Sequence, residues 1–328
     1  MSMTKVADSN PIPRLAHRLF LFACLFTWPL LFVGGLVTTY KVGMSVPDWP
    51  TTFGINMFLY DFFNAAWGVF IEHGHRLYGS AVGLCLLILA PWIQCMPSAP
   101  VRFKVATWLA LAGVIFQGLM GGLRVTQIST SLAMIHGCFA QLFFMYLACI
   151  TAWSSRTWIQ LDPSKLDSAE RPSRQILRFT IIMPFMFYSQ IIVGAWLRHF
   201  QSPDKLYLHE ILGVTVVVLT TIAGSKIRRS EFGKQRSIRR IRTILVGLTH
   251  LQWLLGLFSW WLMRPFDGIP KSVSSLQAIL RTSHQANGAL LLACAGVLAL
   301  WVVRAYGLGQ SQVSDLTNSA KMEAVCLS

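Results

Sequence analysis

The sequence predicts an all-α polytopic membrane protein, with eight transmembrane helices arranged as two pseudo-symmetric four-helix bundles. Three observations predict this fold class: the composition, eight long apolar stretches and an internal repeat. Hydrophobic residues make up 54% of the chain and charged residues only 12%, whereas roughly a quarter of the residues in an ordinary soluble domain are charged. One water-soluble core could not bury this much apolar surface, so lipid must solvate part of it.

Eight apolar stretches each come close to the roughly 20 residues that a helix needs to cross a bilayer. Helices are expected because backbone groups in lipid must be satisfied within their own segment. The stretches run over residues 18–39, 67–91, 105–124, 132–154, 177–197, 207–226, 241–263 and 278–303. They predict an N-terminal bundle (18–154), a C-terminal bundle (177–304) and three further segments (1–17, 155–176 and 305–328).

The 40–66 segment, between the first two stretches, is too polar to span a membrane and too aromatic for a plain linker. It carries Pro47-Asp48-Trp49-Pro50, followed by residues rich in Phe and Tyr. Aromatic rings prefer the membrane–water interface. We therefore expect this segment to lie at the interface as a cap.

Positive charge is distributed unevenly among the loops. The net charge of +15 could suggest nucleic acid as a partner, but Lys and Arg gather in short segments between apolar runs. Twenty lie in the N-terminal segment, the even-numbered loops and the tail, whereas the opposite loops hold six: Lys41, Arg124, Arg198, Lys205, Arg264 and Lys271. Positive residues mark the cytoplasmic side, so both termini are predicted to be cytoplasmic and no nucleic-acid partner is expected.

The two halves repeat four features in the same order. Gly34-Gly35 corresponds to Gly194-Ala195, His75-x-x-x-Gly79 to His209-x-x-x-Gly213, Gln117-x-x-x-Gly121 to Gln252-x-x-x-Gly256, and His136 to His284. Each match alone is weak, but four in order favour a duplication, and parallel repeats are common in membrane proteins. An even number of helices in each half gives both halves the same orientation.

Four histidines occupy similar depths in the even-numbered stretches. His75, His136, His209 and His284 each lie near the start of a helix, roughly 3–14 Å below the outer boundary. Each half thus offers two imidazoles on different helices, and haem iron takes two axial ligands on opposite faces. A lone membrane histidine can simply hydrogen-bond a neighbouring helix, but four at matched depth favour haem iron as the metal. A pair of histidines without nearby carboxylates or thiolates offers too few ligands for a typical zinc or copper site.

Charged residues accompany the histidines. Glu72 precedes His75 by three residues and shares its face of the helix, where a carboxylate is costly and suggests proton transfer; a position at headgroup level is the alternative. Four arginines near the same boundary could bind haem propionates or simply extend to the interface. They are Arg76, Arg124, Arg198 and Arg281.

On these residues the chain resembles the haem A synthase family, membrane enzymes that convert haem O to haem A for terminal oxidases. The resemblance covers residues 18 to 304. Its motifs are Gly34-Gly35-Leu36-Val37-Thr38, Met44-Ser45-Val46-Pro47-Asp48-Trp49-Pro50, Glu72-His73-Gly74-His75-Arg76, Gln117 to Arg124, His136, Gly194 to His199, His209 and His284.

The resemblance implies that the N-terminal half binds the substrate haem O through His75 and His136, with Glu72 required for the chemistry. It implies that His209 and His284 hold a haem b cofactor in the C-terminal half. The implied reaction oxidises a porphyrin ring methyl to a formyl group by successive hydroxylations and loss of water. The implied location is the plasma (inner) membrane of a prokaryote.

The chain departs from the family pattern in two places. Some members carry a cysteine pair in the outer segment between the first two helices, and this chain has no cysteine at 40–66. Glu210 follows His209 where an arginine is expected, which leaves open what contacts the second haem.

Two other functions also fit the histidine pairs: a non-catalytic di-haem b-type cytochrome that transfers electrons, and a haem carrier. Glu72 favours the enzyme, because Leu206 occupies the equivalent position before His209 and pure electron transfer needs no such asymmetry. Partners beyond the lipid bilayer and haem O are open: small residues such as Gly121 and Gly122 would permit a homo-oligomer, and contact with a haem O synthase is also allowed.

Overall fold

The structure is a computed structural model that describes residues 12–200, 203–262 and 272–307. Most of these residues lie in ten helices. They are α1 (Arg14–Thr39), α2 (Trp67–Gln94), α3 (Val101–Thr126), α4 (Thr130–Trp153), α5 (Arg156–Gln160), α6 (Arg174–Phe200), α7 (Pro203–Arg229), α8 (Glu231–Lys234), α9 (Arg236–Leu262) and α10 (Ser275–Tyr306). Two short strands, β1 (Thr51–Thr52) and β2 (Ile55–Asn56), form a hairpin.

Eight of these helices are long and apolar enough to cross a membrane, and each corresponds to one predicted stretch. The all-α, eight-helix prediction is therefore confirmed. Most helices extend beyond the predicted bounds: α1 begins four residues early, at Arg14, and α7 continues to Arg229. The apolar signal ends at the hydrocarbon boundary, whereas the backbone hydrogen bonds continue into the headgroup layer.

Contacts between helices form two closed rings. In the first half, α1 contacts α2, α2 contacts α3, α3 contacts α4, and α4 returns to α1. In the second half the same order runs through α6, α7, α9 and α10. The rings meet where α1 and α4 pack against α10 and where α4 packs against α6. Whether a pseudo-symmetry axis relates the two rings stays a prediction.

Helix α10 lies at the centre and is the most buried of the eight long helices. Small residues allow this central position: Gly296 packs against Met145 and Cys149 of α4. Apolar residues of α10 belong to the cores of both halves, for example Ala289 to the first and Leu292 to the second. The two halves therefore share one helix as a common wall.

The linker between the halves packs on the far end of α10. Arg304 forms a 3.2 Å ion pair with Asp162 and lies 5.0 Å from the ring centre of Trp158. Arg171 donates a 2.9 Å hydrogen bond to the carbonyl of Pro163. The predicted end segments 1–17 and 305–328 lie mostly outside the described residues, so their cytoplasmic location stays a prediction.

Candidate functional site

The four predicted histidines share one packing arrangement. Each lies near the start of the second or fourth long helix of its half (α2, α4, α7 and α10). Its ring packs against a glycine on the preceding long helix. A Cβ added to that glycine would lie 2.8–3.1 Å from the Cε1 atom of the ring. The pairs are Gly34–His75, Gly121–His136, Gly194–His209 and Gly256–His284. The repeat seen in the sequence thus corresponds to four matching contacts.

In the second half, the two histidine rings lie close together in an edge-to-face arrangement. The ring centres of His209 and His284 are 6.0 Å apart, and the ring planes make an angle of 69°. An imidazole nitrogen lies about 2 Å from a metal that it binds, so two imidazoles on opposite sides of one metal have ring centres roughly 6 Å apart. The spacing of this pair would accommodate one metal between the two rings.

The chemistry of the donor set also fits haem. The Nδ1 atoms of all four histidines are buried and have no hydrogen-bond partner of good geometry among the described residues. Buried polar atoms without partners are rare and call for an explanation. No group of three or more metal-ligating side chains occurs within the described ranges, so these residues match a metal that needs only two protein ligands. Haem iron is such a metal, because the porphyrin fills its other positions.

Glu72 is a buried carboxylate on the same helix as His75. Its side chain is 1% exposed. One oxygen, Oε2, accepts a 2.9 Å hydrogen bond from the backbone N–H of Val46, and the other, Oε1, lies 3.2 Å from Nη2 of Arg76. A buried charge is tolerated when it is paired and hydrogen-bonded. The depth of Glu72 relative to the lipid headgroups stays a prediction.

Arg76 joins α2 to the 40–66 segment. Its Nη1 atom donates to the carbonyls of Asp48 (2.7 Å) and Thr51 (3.2 Å), and its Nη2 atom donates to the carbonyl of Val46 (2.8 Å). The guanidinium thus satisfies three backbone acceptors of a segment that has little regular structure. The segment is held as a cap over the start of α2, and its position at the membrane interface stays a prediction.

Asp48 organises the turn inside this cap. Its carboxylate accepts hydrogen bonds from the Thr51 hydroxyl (2.5 Å) and from the N–H groups of Phe53 (2.8 Å) and Gly54 (2.9 Å). Burial alone would raise the pKa of this carboxyl, but these donors together lower it to about 2. Trp49 also packs directly on Gly122 of α3, where a Cβ would collide with the indole.

His73 belongs to the cap rather than to a histidine pair. It is fully buried, and its Nδ1 atom lies 3.0 Å from the hydroxyl oxygen of Thr52. The rings of Tyr60 and Phe62 lie 5.3 and 5.0 Å from its ring. A residue two positions from His75 must point to a different side of the helix, and here that side meets the 40–66 segment.

The remaining predicted arginines have different surroundings. Arg198, at the end of α6, reaches α1 and α10, where its Nη atoms donate to Gly35, Thr39 and Gln285. Arg124 packs against Gly43, whose added Cβ would lie 2.7 Å from Nη1. Arg281 is half-buried on α10. Contact of these side chains with haem propionates stays a prediction.

Sequence reasoning missed three contacts of glutamine with the histidines. Gln117 Nε2 lies 3.3 Å from Nε2 of His136, and Gln252 Nε2 lies 3.2 Å from Nε2 of His284. Gln190 donates a 2.7 Å hydrogen bond to the carbonyl of His209. A sequence signal was present: each glutamine stands four residues before the glycine on which the histidine ring packs.

Comparison with known proteins identifies the family. The COX15-CtaA family model, described as cytochrome oxidase assembly protein, matches residues 17–203. The chain belongs to this family. As a member of the COX15-CtaA family with eight apolar helices, it is an integral membrane protein. The matched region contains Glu72, His75 and His136, whereas His209 and His284 lie beyond it.

Two relatives carry the name Heme A synthase. The protein from Halalkalibacterium halodurans is 26% identical over 175 residues, which are 53% of this chain and 56% of that protein. The protein from Alkalihalophilus pseudofirmus is 28% identical over 177 residues, with the same coverage. This COX15-CtaA chain therefore spans about half the length of the curated relatives it matches.

Proposed function

We propose that the chain is a haem A synthase, which oxidises a ring methyl of haem O to a formyl group. The observation that carries this proposal is the buried Glu72 carboxylate on the same face as His75. Leu206 holds the equivalent position before His209. A protein that only transfers electrons or carries haem has no need for an ionisable group at one of two otherwise matched sites. Membership of a cytochrome oxidase assembly family supports the same proposal.

In this proposal the two halves have different tasks. His75 and His136 bind the iron of the substrate haem O in the N-terminal half. His209 and His284 bind a haem b cofactor in the C-terminal half, which supplies a redox-active centre when bound. Their 6.0 Å ring separation supports this assignment. Arg76, Arg124, Arg198 and Arg281 are the candidate partners for haem propionates.

The residues of the N-terminal half would manage the protons of the reaction. Written with water as the oxygen source, each hydroxylation converts a methyl C–H to C–OH, passes two electrons to an external oxidant and releases two protons; the second gives a geminal diol, which loses water to leave the formyl group. Each Glu72 oxygen has one protein partner, so a lone pair remains on Oε1 or Oε2 to accept a proton. Arg76 would hold the carboxylate in position, and the cap would keep bulk water from it.

The surroundings of the site suit an apolar substrate. Haem O carries a farnesyl tail, which favours access from the lipid between helices, with the propionates toward the cap. The distribution of Lys and Arg among the loops supports cytoplasmic termini, and we propose the plasma (inner) membrane of a prokaryote as the location. Contact with a haem O synthase would supply the substrate directly, and a homo-oligomer is compatible with this arrangement.

The test is to identify the haems that copurify with the protein when it is produced together with a haem O source. Chromatography and mass spectrometry should find haem b together with haem O, a hydroxylated intermediate or haem A. Glu72→Gln should retain both haem groups and lose haem A formation. Glu231→Gln is the matched control, because Glu231 is an exposed glutamate paired with Lys234. Haem b alone, despite available haem O, would leave the electron-transfer cytochrome as the better account.

A further inference from the structure

A cluster of arginines lies where the end of α7 meets the start of α9, at the end of the second half opposite to the histidines. A Cβ added to Gly224 of α7 would lie 2.5 Å from Cγ2 of Val246 on α9, so the two helices are in close contact there. Arg228 follows Gly224 by about one helical turn, and Arg242 precedes Val246 by about one turn. Because the helices run in opposite directions, this contact brings the two arginines together. The positive charges of Arg228 and Arg239 both act on that of Arg242, and these three residues form the arginine cluster.

The turn between the helices holds the arginine cluster in place. Ile227 of α7, Phe232 of α8 and Ile238 of α9 are at most 1% exposed. All three belong to the hydrophobic core of the second half, so the ends of both helices are anchored in close-packed side chains. Buried packing therefore brings the guanidinium groups together, against the repulsion between their charges.

The described ranges supply no counter-charge to the arginine cluster. No carboxylate within 12–200, 203–262 and 272–307 forms an ion pair with Arg228, Arg239 or Arg242. The acidic residue of the turn, Glu231, lies 2.6 Å from Nζ of Lys234 instead. Nε of Arg242 is buried and has no hydrogen-bond partner in the same ranges. Cations that are held together and partly withdrawn from water are costly unless an anion neutralises them, so the cluster is suited to bind an anion.

An open groove leads from the arginine cluster to apolar surface. It has a volume of about 510 Å³ and is lined by Arg239, Arg240, Arg242, Thr243 and Ile244. Ile244 is 52% exposed, and Leu251, about two turns further along the same face of α9, is 43% exposed. Between them, nothing lies within 4 Å of a Cβ added to Gly247. Helix α9 is the least buried of the eight long helices, so this stripe is free to contact an apolar chain.

We propose that the groove binds the phosphate group of an acidic phospholipid, with an acyl chain of the lipid along the stripe on α9. Guanidinium groups bind phosphate oxygens through paired hydrogen bonds. Basic pockets between membrane helices on the cytoplasmic side are a common site for anionic headgroups. A free phosphate ion would neutralise the arginines but would gain nothing from Ile244 and Leu251. This lipid site is separate from the histidine pairs and does not depend on haem chemistry.

The test is lipid binding to the purified full-length protein in detergent, measured by native mass spectrometry and by the shift in melting temperature. Phosphatidylglycerol should bind more tightly than phosphatidylcholine and raise the melting temperature, whereas inorganic phosphate should not raise it. Arg239→Gln combined with Arg242→Gln should weaken the binding of phosphatidylglycerol about 30-fold, at roughly fivefold for each arginine. Because the two substitutions remove repulsion, the variant should be at least as stable as the wild type without lipid.

Arg174→Gln combined with Arg178→Gln is the matched control, because it removes the same charge outside the groove. Both arginines are exposed near the start of α6, at the same end of the bundle, where Lys226 contacts Gln175. This variant should bind phosphatidylglycerol as the wild type does. Equal weakening in the two double variants, or equal affinity of the wild type for both lipids, would overturn the site. Stabilisation by inorganic phosphate as strong as that by phosphatidylglycerol would overturn the lipid as its occupant.

Discussion

Arg198 and Gly35 join the two halves of the molecule across their interface. Nη2 of Arg198, on α6, donates a 2.7 Å hydrogen bond to the carbonyl of Gly35, on α1. The same guanidinium also donates to Thr39 on α1 and to Gln285 on α10. Gly35 follows the glycine that supports His75, and Gln285 follows His284. One side chain therefore connects the backbone beside the glycine that supports His75 to the side chain of the residue that follows His284.

We expect Arg198→Lys to destabilise the protein although it conserves the charge. A lysine ammonium cannot reproduce the planar fork that serves acceptors on two helices, and hydrogen bonds to a charged group contribute about 1.5–3 kcal/mol each. The free energy of unfolding in detergent should fall by about 2–4 kcal/mol. Arg229→Lys, at an exposed arginine of α7, is the control and should be neutral. A wild-type stability for Arg198→Lys would show that the interface does not depend on this contact.

Arg76→Lys should loosen the cap without unfolding the helices. The substitution keeps a cation near Glu72 but loses most of the hydrogen bonds to the carbonyls of Val46, Asp48 and Thr51. Hydrogen–deuterium exchange should then increase for backbone amides of residues 46–56 and stay unchanged in α4 and α10, because core helices open only with global unfolding. Unchanged exchange in the 46–56 region would mean that other contacts hold the cap.

The Asp48 turn should depend on pH in a defined direction. Its pKa is lowered to about 2 in the folded protein, whereas a free aspartate has a pKa of about 3.9. A depressed pKa gives stabilisation that is complete above the unfolded pKa and is lost as pH falls through the folded value. Exchange of the Phe53 and Gly54 amides should therefore be constant above about pH 4, after correction for intrinsic rates, and accelerate toward pH 2.

The Asp48→Asn variant distinguishes the effect of titrating Asp48 from the effects of other groups that titrate in acid. The asparagine amide keeps one acceptor oxygen and carries no charge. It therefore cannot accept the hydrogen bonds from Thr51, Phe53 and Gly54 as the two oxygens of the ionised carboxylate do. The variant should show faster exchange of the turn at neutral pH and no further acceleration between pH 4 and 2. If the variant accelerates as the wild type does, another group controls the turn.

The sequence predicted the eight helices because membrane insertion is decided locally, by runs of apolar residues and by the charges between them. The place of the four histidines near the starts of their helices was predictable for the same reason, since it requires only counting residues along a helix. The partners of Glu72 were not predictable, because the N–H of Val46 reaches it only after the 40–66 segment folds back on α2. Arg198 was assigned to propionates from its place at a helix end, whereas its contacts with Gly35 and Thr39 depend on how the halves pack.

The glycines that support the histidine rings give a last prediction. An alanine at 256 would place its Cβ 3.1 Å from Cε1 of His284, and one at 194 would lie 2.8 Å from Cε1 of His209. The rings must then shift by a few tenths of an ångström, and a shift of an axial ligand alters the electronic structure of the haem. Gly256→Ala and Gly194→Ala should change the low-spin electron paramagnetic resonance signals of the bound haem and reduce its occupancy, with the larger effect at 194.

Gly247→Ala is the matched control on the same helix as Gly256, because nothing lies within 4 Å of an added Cβ there. Alanine is favoured over glycine in a helix by about 1 kcal/mol, so this variant should be at least as stable as the wild type and keep its haem spectrum. If Gly256→Ala and Gly247→Ala gave the same spectrum and occupancy, His284 would have room to move. The contact with Gly256 would then not determine the position of the ligand.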